Sequence, residues 1–311
     1  HCRDVLDQLS GTILFTTLDL KSGYWQLPMA QESIQKTAFT CHLGLYHFKV
    51  LPFGLANAPA IFQRAMSKVL EGLIGKVCMC YIDDIVVYGR TVTEHHKNVQ
   101  LVLSRLQKAG LQIKPSKCSF GQTSINLLGY KVSAQGIQPL PEKVAALKEL
   151  KPPTNVFGVR SFLGMAGYYR DLIQDFAKIA LPLTELTKRK AIFHWGQEHQ
   201  KAFDKLKQAL TANPITSHPD PSKPYILYTD ASDLCVGGIL CQKDDQGVER
   251  VIHYVSHKLA GAQLRWAVIE KEAFAVVFCL RKLHVYLWGA SFEIHRDHKP
   301  LKCLFQSEIK N

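Results

Sequence analysis

Val77-Cys78-Met79-Cys80-Tyr81-Ile82-Asp83-Asp84-Ile85-Val86-Val87-Tyr88 sets neighbouring aspartates inside an otherwise apolar run. Without the acids, the stretch reads as two halves rich in β-branched and aromatic residues, hence two strands meeting at a turn. A carboxylate among such neighbours is costly unless a cation compensates it. Adjacent carboxylates also repel each other, and a divalent metal on oxygen ligands relieves both costs. Asp-Asp is equally a good turn dipeptide, which keeps a solvated hairpin tip as the alternative.

At 311 residues the chain is long enough for two or three domains with sizeable cores. Its 47% hydrophobic and 21% charged residues are ordinary for a globular protein. No apolar run approaches the length of a membrane span. The opening His1-Cys2-Arg3-Asp4 has neither an initiator Met nor a signal-peptide pattern, which reads as a fragment or a product cut from a longer precursor. The 9 cysteines follow no framework spacing and read as reduced thiols of an intracellular protein. Cys78 and Cys80 face the same way on a strand and read as core residues.

Net charge is +12, unevenly spread. Residues 101–200 carry 14 Lys and Arg against 6 Asp and Glu, whereas residues 221–311 carry 12 against 10. A basic middle beside acidic clusters suits a polyanion held across the chain with metals at the reacting phosphates, and a merely basic surface is the plainer alternative.

Strands and helices mix over the first 135 or so residues. Ile13–Leu18 and Tyr46–Val50 read as strands, and Asn57-Ala58-Pro59 starts a helix running to about Leu73. Thr93-Glu94 caps a second helix that stops at Gly110, and Ser124–Val132 returns to a strand. Prolines 139, 141, 152 and 153 mark a change of style, after which Pro141–Leu150, Val156–Leu172 and Gln197–Leu210 read as helices holding most of the basic excess. The turn-rich His218-Pro219-Asp220-Pro221-Ser222-Lys223-Pro224 reads as a linker. Strands follow at Tyr225–Thr229, Val236–Cys241 and Val251–Val255, then a long helix from about Trp266 to Leu287 and a strand at Phe292–Arg296.

Asp19 ends the first strand, where an Asp is most often a cap. Paired with Asp83 across a sheet, it would complete a two-metal site, one ion activating an attacking oxygen and the other steadying a leaving group. Thr17-Leu18-Asp19-Leu20-Lys21-Ser22-Gly23-Tyr24, then Leu51-Pro52-Phe53-Gly54-Leu55-Ala56-Asn57-Ala58-Pro59-Ala60-Ile61-Phe62-Gln63, then Tyr81-Ile82-Asp83-Asp84 resemble successive reverse transcriptase motifs of gypsy-type LTR retrotransposons. Leu128-Gly129-Tyr130 and Arg160-Ser161-Phe162-Leu163-Gly164 continue the likeness into the thumb, and it covers essentially the whole chain.

The resemblance implies that Asp19, Asp83 and Asp84 are palm carboxylates around two Mg²⁺ ions, with Mn²⁺ as a substitute and Asp84 the more peripheral ligand. It implies that the backbone at Leu20 and Lys21 approaches the incoming triphosphate, that Tyr24 lies under the sugar as a steric gate, and that Phe53 lines the nucleotide pocket. Ordinary aromatic packing is the alternative for Tyr24 and Phe53.

A second set of acids lies in the last third. Asp230 ends an apolar strand, Glu270 and Glu272 lie on the long helix, and Asp297 closes the last strand. Acids on a helix are usually solvated, yet contributions from a strand, a helix and another strand can converge on two hard cations. Thr229-Asp230-Ala231-Ser232, Glu270-Lys271-Glu272-Ala273 and Asp297-His298-Lys299-Pro300-Leu301 resemble the RNase H domain of the same elements. By motif position Asp230, Glu272 and Asp297 are the implied metal ligands and catalytic acids, and Arg296 stands where a Thr is common.

The expected fold is α+β and α/β multidomain: a reverse transcriptase palm over 1–138 with most of the fingers missing, a helical thumb and connection over 139–220, and an RNase H-like domain over 221–311 truncated before its last helices and fourth carboxylate. The implied activity is RNA-directed DNA polymerisation with cleavage of the RNA strand of a hybrid. The implied partners are an RNA template, a DNA primer, an RNA–DNA hybrid and dNTPs, within a Pol or Gag–Pol polyprotein and without a membrane. The implied compartments are a cytoplasmic virus-like particle and the nucleus. A catalytically dead remnant that binds nucleic acid, and a nuclease without polymerase activity, are the competing expectations.

Overall fold

The acid-bearing run folds into a hairpin. Strand pairing joins Cys78–Tyr81 to Asp84–Gly89, leaving Ile82 and Asp83 as the two-residue turn. The computed structural model describes residues 2–189, 191–212 and 214–296, and the chain divides into two units, residues 1–125 and 126–311.

The first unit contains α1 (Cys2–Asp7), β1 (Leu14–Asp19), α2 (Gln31–Ile34), β2 (Phe39–Cys41), β3 (Gly44–Tyr46), α3 (Ala58–Val69), β4 (Cys78–Tyr81), β5 (Asp84–Gly89), α4 (Val92–Lys108) and β6 (Ser119–Gln122). Its main sheet has the order β4-β5-β1-β6, with β1 antiparallel to β5. Alternation along these strands puts Leu18, Ile85 and Val87 on one face, and all three are buried in a core with Phe62 and Met66 of α3 and Val102 and Leu106 of α4. Both helices therefore cover the same face. Asp19 and Asp84 stand on the other, at the end of the sheet.

Several boundaries differ from the sequence reading for local reasons. Thr91 rather than Thr93 caps α4: its hydroxyl accepts from Glu94 N at 3.1 Å while the Glu94 carboxylate accepts from Arg90 N at 2.9 Å. The strand expected at Tyr46–Val50 is displaced to the short hairpin of β2 and β3, which turns at His42 and Leu43 and closes on Gly44 with φ 122. The strand expected over 124–132 is a hairpin as well, because Leu128 and Gly129 both adopt positive φ, 47 and 76.

That hairpin leads into the second unit: β7 (Ser124–Leu127), β8 (Tyr130–Ser133), β9 (Gly136–Pro139), α5 (Pro141–Glu149), α6 (Val156–Tyr168), α7 (Phe176–Ile179), α8 (Leu181–Leu186) and α9 (Gln197–Thr211). Tyrosines hold its turn: Tyr168 Oη donates to Leu128 O at 2.6 Å and Tyr169 Oη to Gly129 O at 2.8 Å. The helices pack through Phe162 and Phe203, whose rings lie 4.5 Å apart, and leave Lys143, Lys148, Lys201 and Lys205 exposed. The expected helix Val156–Leu172 ends at Tyr168, followed by a 3-10 turn over Arg170–Leu172.

β10 (Tyr225–Ala231), β11 (Cys235–Lys243), β12 (Glu249–Lys258), α10 (Val268–Lys282), α11 (His284–Leu287) and β13 (Phe292–His295) complete the chain. The sheet order is β12-β11-β10-β13, antiparallel except for β13, which returns across α10 to lie parallel to β10. Tyr225, Leu227 and Leu240 bury against Cys279, Leu283 and Leu287. A Cβ at position 238 would stand 2.6 Å from Cys279 Sγ and 2.7 Å from Tyr228 O, so only glycine lets α10 approach this closely. No helix among the described residues is long and apolar enough to cross a membrane.

Candidate active site

The β1–β5 ladder brings Asp19 and Asp84 directly opposite each other, a geometry that puts both side chains on one face. Asp83 joins them from the turn. Ile82, the first turn residue, adopts φ 54, a left-handed conformation that a β-branched side chain resists by about 1–3 kcal/mol.

Burial, then the Asp84 and Asp19 charges, raise the Asp83 carboxyl above its ordinary range, with Lys117 acting weakly the other way. Burial and then Asp19 raise Asp84. Asp83 Oδ1 is buried and accepts no hydrogen bond. Lys117 Nζ lies 3.6 Å from Asp19 Oδ2, an exposed pair of modest strength.

Asp19 and Asp83 open onto a cleft of about 650 Å³, lined also by Leu20, Lys21, Phe53, Lys114 and Lys117. The loop after Asp19 is pinned by a double amide lock: Gln26 Nε2 donates to Lys21 O at 2.7 Å and to Gln112 O at 2.9 Å, and Gln26 Oε1 accepts from Gln112 N at 2.7 Å. Gly23 of that loop lies tight against Phe62 and Asp83. A Cβ there would meet Phe62 Cζ at 2.9 Å and Asp83 Oδ1 at 3.1 Å.

Phe53 is 61% exposed at the cleft wall, whereas Tyr24 is buried behind it, its ring 5.2 Å from Phe53 and 4.9 Å from Phe62. Burial, then the Asp83 charge, push the Tyr24 phenol upward.

Mutually repelling oxygen donors, one of them buried without a partner, suit a hard divalent cation. The side chains are not closed around such an ion: among the described residues no group of three or more His, Cys, Asp or Glu is arranged to hold a metal. Lysines 114 and 117, Gln26 and Gly23 had no role in the sequence reading. Lys117 is 98 positions from Asp19, and only the pairing of β1 with the segment before β6 brings them together.

The second set of acids is less complete. Asp230 is exposed and pairs with Gly237, while Gly238 faces α10; Asp230 therefore stands on the sheet face away from that helix. A small recess there is lined by Asp175, Lys178, Asp230, Ser232 and Ser256. Glu272 rides on α10, half-buried, and does not line that recess. Glu270 has a structural task, since its carboxylate accepts from Ala267 N at 2.7 Å and caps α10. Lys271 between them is buried and donates to Asp233 O at 3.2 Å. Asp297 lies outside the described residues.

Residues 1–132 match the model of reverse transcriptase (RNA-dependent DNA polymerase), and residues 195–294 match the RNase H-like domain found in reverse transcriptase. The chain is 44% identical over 308 residues to the retrovirus-related Pol polyprotein from transposon opus of Drosophila melanogaster, covering 95% of this chain and 31% of that protein. It is 38% identical to the corresponding polyprotein from transposon gypsy of the same organism, with 96% and 30% covered. It is 34% identical to the transposon Tf2-3 polyprotein of Schizosaccharomyces pombe, with 96% and 22% covered.

The chain thus spans less than a third of the length of these curated relatives. Its fold is similar to the foamy viral protease-reverse transcriptase in complex with dsDNA, at TM-score 0.87 and 24% identity over 99% of this chain and 64% of that one. The same foamy viral protein in complex with RNA/DNA hybrid matches at TM-score 0.81 and 24% identity over 97% of this chain and 41% of that one. With a reverse transcriptase domain followed by an RNase H-like domain, the chain belongs to the Pol polyprotein family of gypsy-type retrotransposons.

Proposed function

We propose that this chain is the palm, thumb and nuclease portion of an RNA-directed DNA polymerase with RNase H activity. The observation that carries the reading is the grouping of Asp19, Asp83 and Asp84 at one end of the sheet, with Asp83 Oδ1 buried and without a partner. Asp19, Asp83 and Asp84 would hold Mg²⁺, which when bound neutralises the phosphate charge of the transfer. Lys114 and Lys117 bring positive charge to the same cleft, where a dNTP triphosphate is the fitting anion.

The backbone at Leu20 and Lys21, held by Gln26, would cradle that triphosphate, and Phe53 would stack beside the nucleotide. Tyr24, fixed between Phe53 and Phe62, would limit the space beneath the sugar. Template pairing supplies sequence choice, so protein contacts to the RNA template and DNA primer need only reach the backbone, a task suited to the exposed lysines of α5 and α9. In this reading residues 1–138 form the palm, 139–220 the thumb and connection, and 221–311 the nuclease, and motif position alone assigns Asp230, Glu272 and Asp297 as its acids.

The test is Mg²⁺-dependent dNTP incorporation on a primed RNA. Incorporation that disappears in Asp83→Asn supports the polymerase reading, and absence of incorporation by the native chain refutes it. Cleavage of a labelled RNA–DNA hybrid by the native chain, lost in Asp230→Asn, supports the nuclease; equal cleavage by both refutes it.

A further inference from the structure

The Ile82-Asp83 turn needs help from outside its own sequence. A two-residue hairpin requires positive φ at its first central position, which Gly, Asn and Asp tolerate and Ile does not. Ile82 nevertheless adopts φ 54. Its N–H lies outside the Tyr81–Asp84 closing pair, so the turn itself offers that donor no partner.

Gln63, on α3, supplies one. Its Oε1 accepts from Ile82 N at 2.6 Å, and its Nε2 donates to Cys80 O at 3.1 Å. The Cys80 carbonyl and the Ile82 amide are two residues apart and point the same way from β4, an edge strand. One side-chain carboxamide therefore meets the donor and the acceptor that a neighbouring strand would meet, and blunts the edge just where the carboxylates begin. The remaining reach of Nε2, to Ser67 Oγ, is longer at 3.5 Å. Phe62, next to Gln63, is fully buried and fixes this part of α3 in the core.

We propose that Gln63 is a positioning residue for catalysis: its carboxamide locks Ile82 in the left-handed conformation and so places Asp83 and Asp84. Gln63 does not line the cleft, and its carboxamide bonds the backbone of Cys80 and Ile82, so it acts through the turn backbone. The catalytic part of this inference rests on the polymerase reading, whereas the lock itself does not.

Two variants test it. Gln63→Met keeps the volume and loses both hydrogen bonds, while Gln63→Glu keeps the acceptor for Ile82 N. Hydrogen exchange at the Ile82 amide, in protein without metal or nucleotide, is expected to quicken by about tenfold in Gln63→Met and far less in Gln63→Glu. In primer extension kcat is expected to fall by about 10–100-fold in Gln63→Met with the dNTP KM within about threefold, because Lys21 and Phe53 stand on other elements. Partial recovery of kcat is expected in Gln63→Glu. Unchanged Ile82 exchange in Gln63→Met overturns the lock, and unchanged kcat overturns its catalytic role. A native chain that extends no primer overturns the polymerase reading and with it that role, while the exchange result still decides the lock.

Discussion

Asp19 and Asp84 are directly opposed residues of one antiparallel ladder, with Asp83 one step away in the turn. Like charges so placed destabilise a sheet, and burial adds to the cost at Asp83 and Asp84. The protein holds this arrangement with a packed core on the opposite face, where Leu18, Ile85 and Val87 are buried.

Removing one charge should therefore stabilise the metal-free protein. Asp83 and Asp84 titrate above their unfolded values, so the folded state binds more protons through that interval and stability falls as pH rises. Asp83→Asn is expected to gain about 0.5–1 kcal/mol at pH 7, kept small by the open cleft, and the gain should vanish as pH falls below about 4. Thermal melts from pH 3.5 to 7.5 measure this; a gain that grows on acidification contradicts it. With Mg²⁺ at ten times its dissociation constant, the native chain is expected to gain about 1.4 kcal/mol and Asp83→Asn far less.

Gly23→Ala should damage the same site sterically. Its Cβ would press on Phe62 and on Asp83 Oδ1, neither of which retreats easily from the core and the turn. A cost of about 1–3 kcal/mol is expected in chemical denaturation, with primer extension reduced beyond what the loss of folded protein explains. Wild-type stability in this variant would mean that the loop can move away.

Gly238→Ala tests the α10 packing independently. The new Cβ would meet a side-chain sulfur and a backbone oxygen. A loss of about 1–3 kcal/mol is expected in the second unit. Adding Cys279→Ala should restore only part of it, because the Tyr228 carbonyl at 2.7 Å remains. Full restoration by the double variant would show that the sulfur alone sets the limit.

The two glutamates of α10 should separate cleanly. Glu270→Ala removes the cap on Ala267 N and is expected to cost about 0.5–1 kcal/mol while leaving hybrid cleavage intact. Glu272→Gln is expected to abolish cleavage with little change in the melting temperature. The reverse pattern would transfer the catalytic assignment to Glu270.

Much of this molecule was legible in its letters. The two-strand reading of Val77–Tyr88, the helices beginning near Pro59, Pro141, Val156 and Gln197, and the return to strands at Tyr225 all rest on local periodicity, proline placement and capping, which act over a few residues. The identity of the acids and the family also came from contiguous motifs, and the comparisons agree with that family. Element ends were less legible: Thr91 and Thr93 are both good caps, and only the reciprocal bonds with Glu94 choose between them.

Tertiary structure alone decided what stands beside what. The opposition of Asp19 to Asp84 depends on strand register across 65 positions, and the approach of Lys117 to Asp19 on a third segment of the sheet. The strained Ile82 turn defies its local preference, because hydrogen bonds from a helix 19 residues earlier outweigh it. Residue types carry chemistry locally, but distance and desolvation belong to the packed chain, and those two quantities set the charge of a carboxylate.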